Sequence, residues 1–120
     1  MNLRYLCLVY EEEAKVDALS EHESAAFADE ELDYLAELQV SGHFLASARL
    51  QPAETAATVR VRNRSVSITN GPDTGTTGRL GEFYLVDARD LNEAIRIAAR
   101  LPRARLGWID VRPLEECDPG

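Results

Sequence analysis

Positive charge is scarce in this 120-residue chain: 13 Lys and Arg stand against 21 Asp and Glu, for a formal net charge of −8. Nucleic-acid binding generally needs a basic face to neutralise phosphates, so nucleic acid is not an expected partner. Long apolar runs are missing as well, which excludes a membrane-spanning helix and makes a membrane an unexpected partner. The first ten residues, MNLRYLCLVY, are apolar, but they have no small-residue cleavage site and run straight into Glu11-Glu12-Glu13. They read as a buried first strand rather than a signal peptide, which places the chain in the cytoplasm. Cysteine is limited to Cys7 and Cys117, without metal-ligand spacing. The pair reads as two thiols of a cytoplasmic protein, with a disulfide as the alternative. No His/Cys/Asp cluster has metal spacing and no Ser/His/Asp order selects a hydrolase, so neither a metal nor a cofactor is expected.

The length fits one domain, over residues 1–113, followed by a flexible acidic tail at 114–120. Leu3 to Tyr10 reads as a central strand with apolar residues on both faces. The acidic stretch after it reads as a loop. Ser20-Glu21-His22-Glu23 has the form of a capping box, opening a helix that runs to about Ser41 and stops at Gly42. Its stripe is Phe27, Tyr34, Leu35 and Leu38, with Ala28 and Leu32 beside it. Glu31 falls inside that stripe, at the edge of the buried face or in a pocket, the edge being the simpler reading.

A second strand covers about His43 to Arg49. Two short strands, Ala57 to Arg62 and Ser65 to Thr69, turn at Asn63-Arg64, with Val59 and Val61 on one face and Arg60 and Arg62 on the other. A glycine- and threonine-rich loop follows, and the chain re-enters a strand over Glu82 to Val86. Asp90 caps a second helix with Glu93 three residues on; Leu91, Ala94, Ile95, Ala98 and Leu101 form its stripe, and it ends before Pro102. Gly107 to Arg112 is the last strand. Without the hairpin the order is βαββαβ, an α+β ferredoxin-like arrangement in which two helices cover one face of an antiparallel sheet. The other face also carries apolar residues, and a face-to-face homodimer would cover it.

The segments LRYLCLVYEEEA, QPAETAATVRVRNRSVSITNGP and LGEFYLVDARDLNEAIRIAARLPRARLGWIDVRP resemble, in spacing and residue type, the YCII-related proteins of the branch named after a DGPF sequence. The resemblance covers nearly the whole chain. It implies a ferredoxin-like fold paired into a dimeric α+β barrel, and it implies association with extracytoplasmic-function sigma factors for some members. The DGPF stretch stands here as Asn70-Gly71-Pro72-Asp73. Where the family continues with Glu, Lys and Glu, this chain has Gly75, Thr77 and Gly78. An asparagine is no general base near neutral pH, so the change means either lost chemistry or new specificity. In the founding branch the resemblance implies a His–Asp acid–base pair. Counting back from Gly42 to the place of that histidine gives Glu31; His22 lies upstream of it and His43 after the helix.

These readings lead to two functional expectations. The first is a small polar or anionic ligand bound in a pocket between the first long helix and the glycine-rich loop. Asn70, Asp73 and Arg79 would bind it, and His43, Asp73 and Glu31 are the candidates for acid–base chemistry. Arg79 would hold an anionic ligand or pair with Glu82. The second is a non-catalytic interaction module whose acidic helix meets a protein partner. Tyr5, Tyr10, Tyr34, Phe83, Tyr84 and Trp108 read as core or dimer interface in either case.

Overall fold

The computed structural model describes residues 3–71 and 79–115. Asp73 with the rest of the glycine-rich loop, and Cys117 with most of the expected tail, lie outside the described residues. The elements are β1 (Leu3–Glu11), α1 (Glu13–Asp17), α2 (Glu21–Val40), β2 (Phe44–Arg49), β3 (Ala57–Arg62), β4 (Ser65–Asn70), β5 (Arg79–Ala88), α3 (Leu91–Ala99) and β6 (Gly107–Pro113). Short 3-10 turns cover Ala53–Thr55 and Pro102–Leu106. The architecture is α+β: an antiparallel sheet of order β2-β5-β1-β6, and a separate hairpin of β3 and β4.

Local chemistry explains most boundaries. Ser20 Oγ accepts from the Glu23 N–H at 3.0 Å and the Glu23 carboxylate accepts from the Ser20 N–H at 3.0 Å, which completes the capping box of α2. Gly42, with φ of +81°, lets the chain turn after α2. At α3, Asp90 Oδ1 accepts from the Glu93 N–H at 2.9 Å, while Glu93 accepts from the N–H of Arg89 rather than from that of the cap residue. The acidic stretch after β1 is not all loop, because Glu13–Asp17 winds into the short helix α1.

β1 is the centre of the sheet. Tyr5, Cys7, Val9 and Glu11 alternate onto the helix-covered face, where the first three pack with Tyr84, Val86 and Ala88 of β5. Tyr34 and Leu38 of α2, with Ala94, Ile97, Ala98 and Leu101, close that core. The Tyr34 hydroxyl donates to the Ile97 carbonyl at 2.7 Å and so ties the two long helices together; burial pushes its pKa up to about 12. The same cause pushes the Cys7 thiol up to about 11, which leaves it an inert core group.

The helical stripes need correction. Ala28, Leu32, Leu91 and Ile95 are exposed, whereas Ile97, outside the expected stripe, is buried. Each helix touches the sheet along a narrower face than its sequence suggests.

Two irregularities shape one end of the sheet. Between Val9 and Tyr10 the register with β5 shifts: Val9 faces Glu82, Tyr10 faces Leu80, and Gly81 is the extra residue. Between Phe44 and Ala46 the β2 register also shifts, which brings Arg49 opposite Glu82. On the far side of the sheet Leu6, Leu8, Phe83 and Leu85 are only half-buried, and Tyr10 stacks on Trp108 with ring centroids 5.4 Å apart.

Candidate functional site

The bulge end of the sheet gathers a set of charges that belong to five separate elements. Glu11 ends β1 on the buried face, Glu82 sits opposite Val9 on β5, and Arg49 ends β2. Glu31 comes from the middle of α2, and Arg103 from the turn before β6. Glu11 and Glu82 are 5% and 3% exposed and Arg103 is 8% exposed, so these are buried charges, which fold only when paired.

Arg49 forms a fork on Glu11, donating from Nη1 to Oε1 at 2.8 Å and from Nη2 to Oε2 at 3.3 Å. Its Nη1 also stands 3.7 Å from Glu82 Oε2. Arg103 reaches the same Glu11 from the other side, Nη1 to Oε2 at 3.3 Å. Its Nε lies 2.9 Å from Glu31 Oε1, in ion-pair contact but not aligned to donate. The Arg103 guanidinium also sits over the Phe27 ring, 5.7 Å from its centroid, which fixes the turn Pro102–Leu106 on α2.

Three carboxylates against two arginines leave one negative charge over. If Glu31 and Glu82 were both ionised, Glu31 Oε1 and Glu82 Oε1 would be buried without a hydrogen-bond donor among the described residues. Protonating Glu82 removes the conflict, because its O–H then donates to the Glu31 carboxylate. Burial first, and the charge of Glu31 second, push Glu82 up to about 8; Arg49 pulls it back, and the hydrogen bond shared with Glu31 adds to the rise. Tyr84, next on the same face, is pushed upward as well, mainly by burial and then by Glu82 and Glu31, so it remains a neutral hydroxyl.

The sign of the linkage follows. A carboxyl raised from 4.5 to about 8 on folding favours the folded state below pH 4.5, and that contribution is lost as pH rises through about 8. Glu82→Gln keeps the shape and cannot ionise. The stability advantage of the wild type over this variant is therefore expected to shrink steadily between those two pH values, read as urea midpoints at several pH values. Midpoints that run parallel across the window would show that Glu82 carries no proton there.

A cavity of about 370 Å³ opens beside the cluster. Glu11, Arg49 and Gly81 form its inner wall; α1, through Glu13, Val16 and Asp17, and the segment Leu50–Glu54 form its sides, with Arg79 and Leu80 at the start of β5. Gly81 has a steric duty here, because a Cβ on it would run into the Glu11 carboxylate, whose Cδ would be 2.7 Å away. Arg79 is ion-paired with Glu13 and stands 4.0 Å from Glu54. The acids on the wall (Glu11, Glu13, Asp17, Glu54) outnumber its cations, Arg49 and Arg79.

The expected site residues are scattered by the fold. Arg79 does line a cavity, but its partner is Glu13, and it is Arg49 that stands beside Glu82. Glu31 is partly exposed, with 18% of its side chain accessible, and is paired with Arg103; it does not line the cavity. Asn70 is exposed at the end of β4, and His43 Nδ1 donates to the Asp87 carbonyl at 2.8 Å; neither lines the cavity. Asp73 lies outside the described residues. The cavity itself lies between α1, the segment after β2 and the start of β5, not against α2. Among the described residues no group of His, Cys, Asp and Glu is placed to hold a metal ion, and no helix is long and apolar enough to cross a membrane.

Glu11, Glu82, Arg49 and Arg103 were not visible as site residues in the sequence. A signal existed for two of them. Glu11 continues the parity of Tyr5, Cys7 and Val9, and Glu82 opens the parity of Tyr84, Val86 and Ala88. A carboxylate on the buried parity of a strand marks a place where a partner must be waiting.

The family model for the YCII-related domain matches residues 3–118 of this chain. An uncharacterized protein of Rhizobium meliloti (strain 1021), R00369, is 31% identical over 118 residues, which cover 97% of this chain and 95% of that protein.

Proposed function

Because this chain belongs to the YCII-related domain family, we propose that it is a homodimer that binds a small polar molecule in the cavity beside Arg49 and exchanges a proton with it through the Glu82–Glu31 pair. The strand order β2-β5-β1-β6 supports the ferredoxin-like reading, and the apolar far side of the sheet supports a dimeric barrel built by two sheets face to face. The observation that carries the functional reading is Glu82: a buried carboxyl held protonated into the neutral range, beside a carboxylate, one residue from a cavity wall. A proton donor raised to about 8 is close enough to neutrality to suit acid–base chemistry.

The charge of the wall narrows the ligand. A purely anionic molecule would meet Glu13, Asp17 and Glu54 before Arg49. A molecule with one acceptor group for the part-exposed Arg49 guanidinium, and hydroxyl or amine donors for the acids, fits better. The interaction-module reading, for example with an extracytoplasmic-function sigma factor, draws on the acidic face of α2. Glu37 and Glu30 on that helix are already paired with Arg100 at 2.8 Å and Arg105 at 2.7 Å, which weakens it.

Native mass spectrometry of the chain, followed by ligand titration with whatever adduct is found, tests the reading. Arg49→Ala is expected to weaken binding about tenfold to a hundredfold, the loss of a charge-assisted hydrogen bond. Glu82→Gln is expected to keep most of the binding and remove the proton chemistry. Binding that ignores Arg49→Ala would place the ligand elsewhere.

A further inference from the structure

The hairpin of β3 and β4 has an apolar face that the described residues leave largely uncovered. Val59 pairs with Ile68 and Val61 with Val66, so the four side chains share one face. They are 59–67% exposed, although such a β-branched face is what a sheet ordinarily buries. The other face carries Arg60 and Arg62 opposite Ser67 and Ser65. The hairpin joins neither edge of the main sheet. Its turn places Asn63 and Arg64 at positive φ, 50° and 68°, the two-residue hairpin turn that matches strand twist.

The shape agrees with a projecting arm. The Cα radius of gyration is 16.5 Å, against roughly 13–14 Å for a compact domain of this length. The molecule measures 50 × 46 × 18 Å, a slab one sheet and one helix layer thick. An isolated two-stranded hairpin is at best marginally stable in water, so this one needs a covering surface.

We propose that the apolar face of the hairpin clasps a second copy of this chain, seating against the open side of that copy's main sheet. The inference rests on the face-to-face dimer proposed above and goes beyond it by assigning the hairpin to the interface. The open side of the sheet, with Leu6, Leu8, Phe83, Leu85 and the Tyr10–Trp108 stack, is a second broad apolar surface left partly uncovered among the described residues. Four Val and Ile side chains supply on the order of 300 Å² of apolar area at the usual transfer scale. That is a sizeable share of the ~800 Å² per partner that a stable interface buries, and without the arm the sheet side would have to supply all of it. The base of the hairpin, closed by the Gly71 N–H donating to the Ala56 carbonyl at 2.6 Å, follows directly on Ala53 and Glu54 of the cavity wall. Clasping a second copy therefore steadies the mouth of the site.

Sedimentation equilibrium of the full chain, wild type beside Val61→Glu and Ile68→Glu, tests the clasp. Both positions are exposed in the single chain, so the variants are expected to keep the wild-type far-ultraviolet circular dichroism while their dimer dissociation constant rises at least a hundredfold. Hydrogen exchange on the wild type gives a second reading: β3 and β4 amides should be protected above the dissociation constant and lose that protection on dilution below it. Variants that dimerise like the wild type, or hairpin amides that exchange alike at both concentrations, would overturn the clasp and leave the dimer standing. A wild type that stays monomeric would remove both.

Discussion

Replacing Arg103 with methionine is expected to cost about 3–5 kcal/mol of folding stability, the loss typical of a buried ion pair broken from one side. Arg103 is 8% exposed and stands between Glu11, at 3.3 Å, and Glu31, at 2.9 Å. Without it three carboxyl groups share the single cation of Arg49. The protein can relieve that strain only by taking up protons. Arg103 is also one of the charges that lower Glu82, so Glu82 should move further up in the variant. The penalty should therefore depend on pH in a definite sense: smaller below about 8, where Glu82 keeps its proton in both proteins, and largest above it, where Glu82 of the wild type is ionised. Chemical denaturation of both proteins across that range reads it directly. A penalty independent of pH would mean that Arg103 matters for its packing on Phe27 rather than for its charge. For a domain whose whole stability is of the order of 5–15 kcal/mol, the variant at high pH should be close to unfolding.

The second large effect is expected at Gly107. This residue opens β6 and pairs with Glu11 across the β1–β6 ladder. A Cβ on it would run into the Tyr10 carbonyl oxygen, with the Tyr10 carbonyl carbon 2.9 Å and the Glu11 Cα 3.1 Å away. All three are backbone atoms of the central strand, held on the other side by β5, so the clash has no flexible side chain to absorb it. Gly107→Ala is expected to destabilise by about 3 kcal/mol, at the upper end of overpacking, and to do so by separating the end of β6 from β1. Because Glu11 is the neighbouring residue, the disturbance should reach Arg49 and Arg103. Gly42 is the control. It has positive φ but open space around the missing Cβ, so Gly42→Ala should cost only about 1–2 kcal/mol from backbone conformation. Thermal or urea midpoints of the two variants should differ clearly. If Gly42→Ala proved the more damaging, the close approach at Gly107 would not be what that glycine is for.

Much of the fold was written locally. Ser20 and Glu23 announce the start of α2, Gly42 its end, Asp90 the start of α3, and Asn63-Arg64 the hairpin turn. Each depends on residues within four positions of one another, where short-range hydrogen bonding and allowed dihedrals decide the outcome. The alternation along β1 and β5 likewise fixes which side chains share a face. The site was not local. Glu11 and Arg103, which touch at 3.3 Å, are 92 residues apart, and Glu31, Arg49 and Glu82 come from three further elements. Their meeting depends on two register shifts, one at Val9 and Tyr10 and one between Phe44 and Ala46.

A charge in a sequence does not name the partner that its burial will require. On α2, Glu31 stands in the acidic stretch Asp29-Glu30-Glu31-Leu32-Asp33 and reads most simply as the edge of the buried face, while in the fold it is the partner of a buried arginine. Arg79 looked like a ligand contact because glycines surround it, and the fold gave it Glu13 from a short helix that the acidic stretch concealed. Neighbours along the chain were enough for the order of the strands and of the two long helices and for their caps, but not for α1 or for which stripe residues are buried. Tertiary structure alone decided which carboxylate keeps a proton, because that depends on the dielectric and on charges brought in from distant segments, and a change of one residue in strand register would have sent each of them to the opposite face.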